Sequence, residues 1–107
     1  MAEEKRFENK IKRYLNEQGC WNVKFFANAY TKKGVPDILA CVNGFFVGIE
    51  VKAKNGIVSE LQKWNISEIR KSGGIAIVLY PQDFEKFKKL VELLKTGNNF
   101  SENNSMF

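Results

Sequence analysis

The chain has no histidine, two cysteines and two prolines among its 107 residues. Without histidine there is no Ser-His-Asp triad, no histidine-based metal nuclease centre and none of the usual mixed zinc sites. Cys20 and Cys41 lie far apart and outside any CxxC spacing. They read as reduced, small apolar side chains, not as a metal clip or a disulfide framework. No apolar run approaches the roughly 18–20 residues that cross a bilayer. The opening segment, MAEEKRFENK, is charged throughout and has no apolar stretch of the signal-peptide kind. A cytoplasmic location is the expectation. No internal repeat is present.

Charge and size narrow the classes further. Seventeen Lys and Arg against twelve Asp and Glu leave +5, with a sequence pI near 9.3. A basic excess suits a polyanionic partner, but it acquires meaning only from where the charges fall. At this length the chain is expected to form one domain, with 44% hydrophobic residues for a single core.

Local patterns give the order of elements. Phe7, Ile11, Tyr14, Leu15 and Gln18 recur at helical steps from Glu3 to Gln18, and Gly19 follows as the C-terminal stop. Val23 to Tyr30, rich in aromatic and β-branched types, predicts a strand. After the basic loop Thr31-Lys32-Lys33-Gly34, Pro36 suits the start of a second strand. Asn43-Gly44 predicts a two-residue type I′ hairpin turn. Ser59 caps a helix from about Glu60 to Ser72, which Gly73-Gly74 ends. Ile75 to Tyr80 reads as a strand buried on both faces, stopped by Pro81. Phe84, Phe87, Leu90, Val91 and Leu94 then form one stripe of a last helix. The fold expected is α/β: a mixed sheet of about four strands flanked by helices, in the order α-β-β-β-α-β-α. The domain is expected over residues 1–95, with a disordered Asn- and Ser-rich tail over 96–107.

The hairpin concentrates the chemistry. With Asn43 and Gly44 as the loop, Val42 faces Phe45, Cys41 faces Phe46, Leu39 faces Gly48 and Asp37 faces Glu50. Alternation puts Asp37, Glu50 and Lys52 on one face. The other face carries Ile38, Ala40, Val42, Phe45, Val47, Ile49 and Val51, all apolar, and is the core side. Opposed like charges are destabilising unless they share a proton or a cation. Two converging carboxylates suit a divalent metal, and a lysine beside them can orient water or stabilise developing negative charge. A turn-closing Asp37 and a solvent-facing Glu50–Lys52 pair would explain each residue singly. They do not explain three such residues together on the polar face of an otherwise apolar hairpin. A longer loop would change the register and undo the grouping.

Pro36-Asp37, twelve intervening residues and Glu50-Val51-Lys52 resemble the signature of PD-(D/E)XK nucleases. Gly34-Val35-Pro36-Asp37-Ile38, Gly48-Ile49-Glu50-Val51-Lys52-Ala53, Ser59 with Gln62, and Gly73-Gly74 more narrowly resemble the VRR-NUC domain of phage and repair nucleases. The resemblance implies a restriction-endonuclease-like core with Mg2+ or Mn2+ held by Asp37, Glu50 and the carbonyl of Val51. Lys52 would position the water, and Gln62 would be the helix glutamine beside the site. A first-helix acid, Glu8 or else Glu4, would add a ligand directly or through water. Gln62 has a second explanation, since Ser59-Glu60-Leu61-Gln62 is a capping box. Lys32, Lys33, Lys54 and Lys63 would follow a phosphate backbone. Trp21, Phe25, Phe26 and Tyr30 read as core or interface more than as stacking platforms. The activity implied is a metal-dependent DNA endonuclease selecting branched or flapped DNA, acting as a homodimer in phage replication, recombination or repair. A silent DNA-binding subunit, a restriction-type or RNA-cleaving nuclease, and an unrelated small basic interaction domain remain open.

Overall fold

The computed structural model describes residues 2–97. Helix α1 (Glu3–Glu17) precedes strands β1 (Trp21–Lys24), β2 (Ile38–Val42) and β3 (Phe45–Val51). Helix α2 (Glu60–Lys71), strand β4 (Ile75–Leu79), a 3-10 turn at Pro81–Asp83 and helix α3 (Phe84–Lys95) complete one α/β domain. The expected tail lies outside the described residues, apart from Thr96 and Gly97, which form the turn after α3.

The four strands lie in the order β1-β2-β3-β4. The first three are antiparallel, and β4 joins β3 in parallel after the α2 crossover. The central register is the expected one, with Val42 opposite Phe45, Cys41 opposite Phe46 and Leu39 opposite Gly48. Its cause is local. Asn43 and Gly44 both have positive φ, 51° and 84°, as a type I′ turn requires. Asn43 also donates through Nδ2 to the Leu94 carbonyl at 2.9 Å, tying the hairpin tip to the end of α3.

One sheet face carries the main core. Phe7, Ile11 and Leu15 from α1 and Phe87, Leu90, Val91 and Leu94 from α3 pack there on Ile38, Ala40, Val47, Ile49, Ile75 and Ile77. Most of these side chains are fully buried, each contributing on the order of 1.5–3 kcal/mol relative to exposure. Helix α2 covers part of the opposite face, where a Cβ on Gly48 would already press on Pro36 and Ile69.

The first strand departs from expectation. It spans Trp21–Lys24, not Val23–Tyr30, because its partner β2 starts only at Ile38. Phe25 makes one further backbone bond, to the Asp37 carbonyl at 2.8 Å, and the chain then leaves the sheet. The aromatic run was misleading because its rings do not enter the core: Phe26 is 73% exposed and Tyr30 98%. Trp21 is exposed as well, and only Phe25 is half-buried. Neither cysteine is bonded to another; Cys20 is buried and Cys41 exposed. Among the described residues no helix is long and apolar enough to cross a membrane.

Candidate active site

Asp37 sits one residue before β2, where the ladder to β3 has ended. Its carboxylate takes over from the ladder, with Oδ2 accepting the Val51 N–H at 2.8 Å. The loop leading to it is fixed by α2. Asn65, 4% exposed, donates from Nδ2 to the carbonyls of Lys33 and Leu61 at 3.0 and 3.1 Å. The contact needs a glycine at position 34, where φ is +79°. A Cβ there would lie 2.7 Å from Asn65 Nδ2 and Leu61 Cγ.

Glu50 lies on the α2 side of β3 and is 2% exposed. Gln62 donates from Nε2 to Glu50 Oε2 at 3.1 Å, and the Lys52 ammonium stands 3.5 Å from the same oxygen. Gln62 makes the cap and also contacts Glu50. Its Oε1 accepts the Ser59 N–H at 2.9 Å and its N–H donates to Ser59 Oγ at 3.2 Å, while the amide nitrogen reaches Glu50. The helix cap thus locks the amide in the orientation that faces the acid.

Burial pushes the Glu50 carboxyl up to about 8, helped by the charge of Asp37 and a hydrogen bond with it; Lys52 acts in the opposite sense. The pair is a carboxylate dyad in which one member readily keeps its proton. The same arrangement fits a small divalent cation. Asp37, Glu50 and the nearby Val51 backbone offer hard oxygen donors, and a cation would relieve the buried acid of its proton. No three carboxylate or thiolate side chains converge among the described residues, so in this arrangement the acids placed together are Asp37 and Glu50.

Glu8 faces inward from α1 and is 4% exposed. Its carboxylate is engaged by Lys5 and Lys24 at 2.8 Å and by Lys12 at 3.6 Å. Burial alone would raise its pKa, but the hydrogen bonds and charges of Lys24 and Lys5 outweigh this and lower it. Lys24 bridges onward to Asp37 Oδ1 at 3.3 Å, so Glu8 is joined to the dyad through an ammonium. Glu4, the alternative candidate on the first helix, is exposed. Lys24 was missed from the sequence. Its signal was slight: one lysine in the run Val23-Lys24-Phe25-Phe26, on the strand that leads toward Asp37.

The four expected phosphate-contacting lysines separate. Lys32 stands 5.3 Å from the Trp64 ring centroid and borders a cleft of about 360 Å3 that also touches Lys24, Phe26, Asp37 and Gln62. Lys33 is exposed on the loop before Gly34. Lys54 is exposed, its backbone N–H donating to Glu3 Oε1 at 2.7 Å. Lys63 pairs with Glu60 at 3.2 Å and lines a different depression, with Val58, Ile66 and Arg70, because it leaves α2 on another side from Gln62.

The family model of the archaeal Holliday junction resolvases (Hjc) matches residues 2–79, from α1 through β4. A solved structure of the Hjc Holliday junction resolvase from Archaeoglobus fulgidus is similar in fold, at 22% identity and a TM-score of 0.56. The alignment covers 71% of this chain and 66% of that one. No curated protein sequence matches. The resemblance to PD-(D/E)XK nucleases therefore stands at superfamily level. The family whose model matches is the resolvases, whereas the narrower sequence resemblance pointed to VRR-NUC.

Proposed function

Because the chain belongs to the archaeal Holliday junction resolvase family, we propose that it is a divalent-metal-dependent endonuclease that cuts branched DNA during recombination or repair. The observation that carries this reading is the Asp37–Glu50 dyad, with Lys52 and Gln62 on Glu50 and a cleft reaching Asp37 from the surface.

In this reading Asp37, Glu50 and the Val51 carbonyl would hold Mg2+ or Mn2+. When bound, the ion supplies Lewis-acid polarisation of the phosphate and stabilises the charge that accumulates on it. Gln62 fixes the Glu50 oxygen that Lys52 also faces, so the acid has one orientation at the time of reaction. The Lys52 ammonium aligns the attacking water with phosphorus and offsets negative charge in the transition state. Lys24 steadies Asp37, and Glu8 joins the site directly only when Lys24 gives way. Lys32, Lys33 and Lys54 meet phosphates on the approach, whereas Lys63 faces another side of α2 and is not part of it. No protein nucleophile is needed.

A homodimer would present two such sites to one junction. This is supported by an uncovered apolar patch on the α2 side of the sheet, where Trp21, Cys41 and Phe46 lie in one row and Val23 in the next. Light scattering should return twice the chain mass; a monomer with and without DNA would remove the dimer from the proposal.

The activity test incubates the protein with labelled four-way junction, flap, duplex and single-stranded DNA, and with matched RNA, in EDTA, Mg2+ or Mn2+. Cutting should need metal, favour branched DNA and disappear in Asp37→Asn. Binding without cutting under either metal would replace the nuclease by a DNA-binding subunit of the same fold.

A further inference from the structure

The loop between β1 and β2 places aromatic rings in solvent, and Phe26 among them lines the cleft. Tyr30 is 98% exposed, Phe26 73%, and Trp64 on the facing first turns of α2 51%. The tip is closed on itself. Asn28 Oδ1 accepts the Tyr30 N–H at 2.8 Å, and the Asn28 N–H donates to Thr31 Oγ1 at 2.8 Å. Tyr30 is thus displayed by a formed turn and makes no packing contribution to the core. Cations accompany the rings. Lys32 Nζ stands 5.3 Å from the Trp64 centroid, and Lys24 Nζ lies 6.0 Å from that of Phe26. The cleft lined by Phe26, Lys24 and Lys32 reaches Asp37.

Exposed rings with an ammonium group such as Lys32 beside them match a nucleotide: the base stacks and the phosphate is neutralised. A paired duplex offers only base edges and phosphates to such a surface, because its base faces are already stacked. Nucleotides at a branch point or gap have free faces. We propose that Phe26, Tyr30 and Trp64 form a stacking platform for unstacked nucleotides, which delivers the adjoining phosphodiester to Asp37. The platform rests on the nuclease reading for what happens to that bond, but not for the binding itself. It selects structure without reading sequence, since every base has a face to stack.

The test is fluorescence-anisotropy binding at one salt concentration in EDTA, using a four-way junction, a duplex with a single-stranded gap and an unbroken duplex of equal length. Wild type is compared with a Phe26→Leu/Tyr30→Leu double variant; both positions are exposed, and duplex affinity serves as the control for folding. Wild type should prefer the junction and the gapped DNA. The variant should lose about fivefold to a hundredfold on those two and less than about twofold on the duplex. Equal losses on all three DNAs, no loss on any, or no wild-type preference would overturn the platform. Conversion of a dimer to a monomer by the substitutions would also overturn it, as the rings would then be a protein contact. Failure of the two readings is distinguishable. Metal-dependent junction cutting with unchanged binding preference in the variant sinks the platform alone. Selective binding, lost in the variant, without cutting by wild type sinks the nuclease alone.

Discussion

Glu50→Gln exchanges the buried carboxyl for a neutral group of nearly the same shape. In the folded protein the acid is 2% exposed, and its pKa rises from 4.5 to about 8, burial being the main cause and Asp37 the next. Between those limits the folded chain keeps a proton that the unfolded chain releases, so stability falls as pH rises. The contribution is complete below about pH 4.5 and gone above about pH 8. Each pH unit is worth about 1.4 kcal/mol, so the window removes roughly 3–5 kcal/mol, the lower figure allowing for rearrangement around Asp37. Glutamine has no proton to lose and can still accept from Gln62. Urea unfolding in EDTA, followed by circular dichroism, should therefore give similar stabilities near pH 5. The variant should be ahead by about 3–5 kcal/mol near pH 8.5. Adding Mg2+ or Mn2+ at the higher pH should restore the wild type and leave Glu50→Gln unmoved, because the ion needs the carboxylate. Parallel stability profiles for the two proteins would refute the reasoning, as would metal stabilisation of the variant.

Two more substitutions probe the supports of the site. Gly34→Ala puts a methyl group within 2.7–2.9 Å of Asn65 and Leu61 at a φ of +79°; the left-handed backbone and overpacking together should cost about 2–4 kcal/mol. A melting temperature within error of wild type would show that this contact is not the anchor of the Asp37 loop. Lys24→Met leaves the nearly buried Glu8 with Lys5 and Lys12 only, at a cost of about 1–3 kcal/mol at neutral pH. Glu8 has a lowered pKa, so the stability it brings is present above its ordinary value of 4.5 and lost as pH falls through the folded value. The variant's deficit should shrink in acid, and a deficit independent of pH would point to lost packing instead.

The dyad was legible because its geometry is set by short-range rules. A two-residue turn at Asn43-Gly44 fixes the hairpin register by backbone conformation alone, and alternation then carries that register to the positions next to Asp37 and Glu50. The capping box at Ser59 and Gln62 is equally local, and so are the helical stripes of α1 and α3. The first strand was misplaced because aromatic and β-branched content marks a tendency. The strand's limits are set by a partner more than a dozen residues away, and that partner begins only after Pro36 and Asp37.

What the sequence determined by itself was the element order, the hairpin register and the set of residue types gathered at its open end. Each follows from dihedral preferences and side-chain alternation acting over a few residues. The tertiary structure alone decided that α2 buries Glu50 and holds its proton, that Gln62 serves both the cap and the acid, and that Lys24 joins Glu8 to Asp37. It also decided that Phe26, Tyr30 and Trp64 face solvent. Desolvation and ion pairing depend on what stands within a few ångströms in space, and no local pattern in the chain encodes which helix comes to cover which end of the sheet.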